Sequence, residues 1–156
     1  MTSGNQKILL GLLLVIVVGF FLVGTFLVGT LLGAAVFGWK AAQRAGNEAA
    51  TMQNLRTIAA VEIQYFNTHD RTYGTFDELV RAEMLSSKFA GDRPITDGYV
   101  LRLSLTPKPG GSVSSYTLTA DPLDDSSGRR HFYLDSASGQ IQVNEDRGAG
   151  PNDPLL

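Results

Sequence analysis

Residues 8–66 read ILLGLLLVIVVGFFLVGTFLVGTLLGAAVFGWKAAQRAGNEAATMQNLRTIAAVEIQYF. No residue from Ile8 to Trp39 is charged, and these 32 residues, at about 1.5 Å each, would make a helix of roughly 48 Å. A hydrocarbon core is about 30 Å thick and needs roughly 20 apolar residues. A signal peptide has an apolar region of about 7–15 residues before a small-residue cleavage site. Here the apolar character runs past Ala34-Ala35 through Val36 and Phe37, and Trp39-Lys40 resembles an interfacial anchor. The sequence therefore predicts a short tail at 1–7 and a membrane-embedded helix over 8–39. From Ala41 to about Phe66 there is neither a Pro nor a cluster of turn residues, so the helix is expected to continue, with Gly46 its only weak point. Met52, Leu55, Ala59, Ile63 and Phe66 form one stripe, widened by Ile58, Val61 and Tyr65, and such a stripe needs a partner surface.

Glycine punctuates the apolar run at Gly11, Gly19, Gly24, Gly29, Gly33 and Gly38, and Phe-Leu-Val-Gly-Thr occurs twice between Phe21 and Thr30. Gly29 and Gly33 have the small-xxx-small spacing that lets two membrane helices approach closely. The alternative is the ordinary frequency of Gly in membrane helices. Gly also weakens a helix by roughly 1 kcal/mol relative to Ala, which marks 24–38 as the stretch able to unwind in an assembly.

The chain of 156 residues has room for one ordinary domain beyond this segment. Lys+Arg number 13 and Asp+Glu 15, and the one basic residue before the run is Lys7. The remaining charges are interspersed and give no electrostatic footprint for nucleic acid. Without Cys there are no disulfides, thiolate metal sites or cysteine nucleophiles. Lys40, Arg44 and Arg56 outnumber Lys7, which by the positive-inside rule mildly favours a cytoplasmic C-terminal domain.

After a break at Asn67 to Gly74, Thr75-Phe-Asp-Glu78 reads as a capping box opening a short helix over 76–84. Strands are predicted over 99–105, 116–120, 131–134 and 141–143, with turns at Pro107 to Gly111 and Asp135 to Gly139. The fold class is thus α+β: a long helix, its second half (40–66) laid on a three- to four-stranded antiparallel sheet. Residues 40–144 would form this globular domain and 145–156, rich in Gly, Pro, Asn and Asp, a frayed tail.

His69 and His131 have no metal-ligand or triad spacing around them, and there is no P-loop, dinucleotide or nucleophile-elbow motif. An enzyme is not expected. Asp121, Asp124 and Asp125, with Ser126 and Ser127, form the densest oxygen cluster, which reads either as a calcium site or as a solvated acidic turn. Glu48 and Glu62 lie among apolar neighbours on the long helix, where each would pair with Arg44, Lys40 or an adjacent subunit, or stay solvated.

Several segments carry a resemblance: residues 45–58 (AGNEAATMQNLRTI), Gln64-Tyr-Phe66, Gly98-Tyr99, and Gly128-Arg-Arg-His-Phe-Tyr-Leu-Asp135 with Ser138-Gly139-Gln-Ile141. Over roughly 40–143 the chain resembles type IV pilins and the major pseudopilins of type II secretion. The resemblance implies a pilin-like fold and a structural subunit that forms filaments with copies of itself through the apolar helix. It also implies a bacterial inner-membrane precursor with its globular domain outside, and a calcium site near Asp121, Asp124 and Asp125. Gly24, Gly29, Gly33 and Glu48 are the residues such an assembly would use. The pattern departs at the N-terminus: Gly19-Phe20 stands in place of the family's cleavage point, with Gly24 where the family carries Glu, and no carboxylate lies in the span. That departure fits an alternative, a single-pass anchor whose domain binds a partner without polymerising.

Overall fold

The structure, a computed structural model, describes residues 3–107 and 113–156. Residues 1–2, and 108–112 with most of the predicted 107–111 turn, lie outside the described residues. The chain divides into two compact units, Met1–Ala41 and Ala42–Leu156. Helix α1 (Ser3–Thr68) supplies the first unit and opens the second.

In the first unit every residue over Ile8–Phe26 is exposed, with Leu13 at 60% and Phe20 at 78%. This stretch of 19 residues has a mean hydropathy of 2.9 and none of it is buried within the chain, so one helix is long and apolar enough to cross a membrane. Thr25 satisfies its hydroxyl on the helix itself, donating to the carbonyls of Phe21 and Leu22 at 3.0 Å. The side chains of 27–29 and 31–37 lie outside the described residues.

The second unit is α+β. After α1 come α2 (Phe76–Arg81), a 3₁₀ turn (Ser87–Phe89), and strands β1 (Ile95–Thr96), β2 (Tyr99–Pro107), β3 (Val113–Pro122), β4 (His131–Asp135) and β5 (Ile141–Asn144). The strands form one open antiparallel meander in chain order. Alternation places apolar residues in rows across one face: Leu101, Ala120, Phe132 and Val143 in one, Leu103, Leu118, Leu134 and Ile141 in the next. Leu55 and Ile58 of α1, with Phe76 and Leu79 of α2, complete a single buried core with that face. Burying one such side chain contributes about 1.5–3 kcal/mol.

Several sequence expectations are corrected. The sheet has five strands, not three or four, because Asp97-Gly98, both at positive φ (52° and 75°), turns β1 back onto β2. An Asp-Gly pair with both residues at positive φ is a strong hairpin signal. Helix α2 ends at Arg81 rather than at 84: Glu83 takes a left-handed φ of 58°, and the amides of Met84 and Leu85 both return to the carbonyl of Leu79. The buried stripe of α1 is rotated from the predicted one. It runs Glu48, Thr51, Leu55, Ile58, Glu62, while Ile63 is 57% exposed. Of the predicted residues Leu55 and Ile58 are in the core and Met52, Ala59, Val61 and Tyr65 pack against it, while the fully buried line adds the polar Glu48, Thr51 and Glu62 that hydrophobicity does not mark. The frayed tail is corrected too, since Val143 donates to the carbonyl of Pro154, Leu156 donates to that of Ile141, and Leu155 bridges Gln142.

Candidate functional site

The expected assembly residues fall in different places. Gly24 sits on exposed α1 with no atom within 4 Å of a would-be Cβ. Gly29 and Gly33 belong to the same helix, and their surroundings lie outside the described residues. Glu48 points into its own domain. It is 8% exposed and accepts from the amide of Arg129 at 3.0 Å, the amide of Arg130 at 3.4 Å and the Nε of Arg130 at 2.6 Å. Burial raises its pKa, but the Arg129 amide and the guanidinium and amide of Arg130 more than offset that, so the carboxyl titrates below its ordinary value. Neither Arg44 nor Lys40, the partners expected within the chain, is the one it uses.

Around Glu48 three of the separated segments of the resemblance converge. Asn47 donates from Nδ2 to the carbonyl of Ser127 at 2.9 Å, and the Tyr99 hydroxyl donates to the carbonyl of Arg130 at 2.9 Å. A Cβ on Gly128 would overlap the Tyr99 hydroxyl. One on Gly98, already at φ 75°, would lie 2.8 Å from the Ser127 Cβ. Both positions therefore require glycine. Helix and loop 127–130 are locked together by backbone acceptors, one carboxylate and two residues with no side chain.

The three aspartates do not converge. Asp121 accepts from Arg102 Nη1 at 2.8 Å and shares a 2.7 Å hydrogen bond with His131 Nδ1. Asp124 closes its own turn, accepting from the hydroxyls and amides of Ser126 and Ser127; the Ser126 hydroxyl does most to hold its carboxyl below the ordinary range. Asp125 is exposed and lines a polar cleft of about 500 Å³ with Arg44, Arg129, His131, Glu145 and Asp146. Among the described residues no group of three or more His, Asp or Glu is placed to hold a metal ion. His69, at the end of α1, stacks on Tyr65 with ring centroids 3.9 Å apart.

Glu62, at the far end of the stripe, has no solvent exposure. Its Oε2 accepts from the amide of Gly74 at 3.0 Å, and its Oε1 has no partner among the described residues. Burial pushes its pKa up to about 7, against the Gly74 amide and with help from the negative charge of Glu78. Sequence reasoning treated this residue as one more helix carboxylate. Only the rotated stripe distinguishes it.

Compared with protein-family models, curated proteins and solved structures, the chain finds no match.

Proposed function

We propose that this chain is a structural subunit of a type IV pilus-like or pseudopilus filament, held in the inner membrane with its globular domain outside and assembled through the apolar part of α1. The reading rests on the sequence resemblance. The observation that carries it further is the contrast within α1: Ile8–Phe26 presents an unbroken exposed apolar surface, while Thr51, Leu55 and Ile58 of the same helix are buried against the sheet. Apolar surface on this scale needs lipid or other copies of the helix. Asn47, Glu48 and Tyr99 tie the helix to loop 127–130, which suits a structural part.

The test is electron microscopy of cell-surface material, with cross-linking of the native protein. Filaments, or regular ladders of cross-linked chains, support the proposal, and monomer at membrane density contradicts it. A second reading, a non-polymerising single-pass anchor whose domain binds a partner protein, is favoured by two observations. Gly24 occupies the position of the family's filament carboxylate, and Glu48 spends its charge on Arg130 of its own chain. Sequencing the N-terminus of purified protein separates the two: a start at Met1 or Thr2 supports the anchor, and cleavage between residues 15 and 20 supports the filament.

A further inference from the structure

A carboxyl with one oxygen tied to a loop amide and the other facing no partner is a poor structural glue. A neutral amide of the same shape would leave no charge to bury. Its position is also unusual. The amide that Glu62 holds belongs to Gly74, three residues past a turn in which Asp70 and Arg71 both take left-handed φ values, 52° and 58°. Non-glycine residues hold such conformations only where surrounding contacts enforce them. Here they are local, the amide of Arg71 donating to the carbonyl of Phe66 and that of Thr72 to the carbonyl of His69, whose ring stacks on Tyr65. Gly74 is pressed on Tyr65 and Leu79, so that a Cβ there would lie 3.0 Å from the Tyr65 ring. Phe66 stacks on Tyr73, which meets Tyr116 edge-on at 4.9 Å. Immediately after the turn, Thr75 caps α2.

We propose that Glu62 is a protonation-dependent latch: as a neutral acid it keeps the turn at 69–75, and α2 behind it, closed on α1, and as a carboxylate it releases them. The groups around it all act in that sense or are neutral. Tyr65 flanks it from α1 and Tyr116 from β3, both phenols that cannot neutralise a carboxylate, with Tyr73 edge-on to Tyr116. From α2 comes Glu78, a like charge that opposes ionisation. Arg81 and Asp135 act one residue further out, on Tyr65 and on Tyr116 respectively. No cation forms an ion pair with Glu62 among the described residues. An ionised Glu62 therefore gains only the Gly74 hydrogen bond where it stands, whereas opening the turn gives both of its oxygens to water. Protons bound to the closed form and not to the open one link closure to pH. Closure is complete below the ordinary glutamate pKa, and opening becomes easier as pH rises toward the raised value. The device does not depend on whether the chain forms filaments.

The test is hydrogen exchange on the full-length chain in detergent micelles, corrected for intrinsic rates, at the amides of Gly74 and Leu79. In the wild-type chain the opening constant should grow about tenfold per pH unit between pH 5 and 7 and level off above. In Glu62→Gln it should stay low and flat, and in Glu78→Gln the rise should level off at lower pH. Wild-type protection that is flat from pH 5 to 8, or a Glu62→Gln chain that opens with the wild-type slope, overturns the latch. Should Glu62→Gln fail to fold, the ¹³C carboxyl resonance of wild-type Glu62 decides: a midpoint near 7 supports the latch and one at the ordinary glutamate value removes it.

Discussion

Helix α1 is one element in two environments, and the two stretches obey different rules. Over Ile8–Phe26 hydrophobicity faces every direction and no side chain is buried within the chain. Over Glu48–Glu62 a single narrow stripe is buried and each of its five positions has a particular surrounding. A helix that is apolar all round suits an apolar solvent, whereas one with a stripe suits a partner surface. Position-specific energetics should therefore be confined to the second stretch.

The largest expected effect tests that division directly. Leu55 is fully buried and Leu13 is 60% exposed, so Leu55→Ala should cost about 2–5 kcal/mol of domain stability, and Leu13→Ala less than about 0.5 kcal/mol. Urea unfolding of the full-length chain in micelles, followed by Tyr fluorescence of the domain, measures both. Equal losses would show that the two stretches do not differ in kind.

Glu62 gives the next effect, with a sign fixed by its raised pKa. Because the folded state holds the proton more tightly than the unfolded one, the stability associated with the neutral acid is fully present below the ordinary value of 4.5. It is lost as pH rises to about 7. The loss amounts to about 3 kcal/mol at 1.36 kcal/mol per pKa unit. Glu62→Gln should therefore stabilise the domain at pH 8 and leave it nearly unchanged at pH 4.5, as melting curves at the two pH values would show. Glu48 should behave in the opposite sense. Its carboxyl is held below the ordinary range by Arg129 and Arg130, so its contribution is present above that range and fades as pH falls through the lowered value. Glu48→Gln, which keeps the shape but leaves Arg130 without its counter-charge, should cost about 2 kcal/mol at pH 7. A neutral outcome would mean that the helix and loop 127–130 are held by Asn47, Tyr99 and the glycines alone.

What the sequence revealed follows the same division. The span, the helix through Phe66 and four of the five strands were legible because each depends on a repeating local pattern: uninterrupted apolarity, a 3.6-residue stripe or strict alternation. The rotation of the stripe was not. Its ends are the carboxyls of Glu48 and Glu62, which accept from loop amides at Arg129, Arg130 and Gly74 that arrive from far along the chain or from across a turn. Hydrophobicity places Ile63 inside, yet it is 57% exposed. The 145–156 tail misled for a related reason: its Gly, Pro and Asp residues mark a lack of regular structure, and they also build the turn in which Asp153 accepts from Asn144, Arg147 and Gly150. For the site, the resemblance flagged Asn47-Glu48, Gly98-Tyr99 and Gly128 to Arg130 as separate segments, and nothing in one dimension indicated that they meet. The aspartates at 121, 124 and 125 were neighbours in sequence alone.

The smallest effect concerns the cap that joins the turn to α2, where pattern reading succeeded in full. The Thr75 hydroxyl accepts from the Glu78 amide at 3.2 Å, and the Glu78 carboxylate accepts from the Thr75 amide at 2.7 Å and from its hydroxyl at 2.9 Å. A cap of this kind contributes about 1 kcal/mol. Helix α2 has only six residues, too few to persist without tertiary support, and it stays in place because Phe76 and Leu79 are buried. Thr75→Ala should therefore lower domain stability by about 1 kcal/mol without removing α2. The same substitution should raise exchange at the Glu78 and Leu79 amides and leave the amides of β2 and β3 unchanged. Exchange that spread into those strands would show that the turn, α2 and the sheet open as one unit, and that the cap stabilises the whole second unit rather than one corner of it.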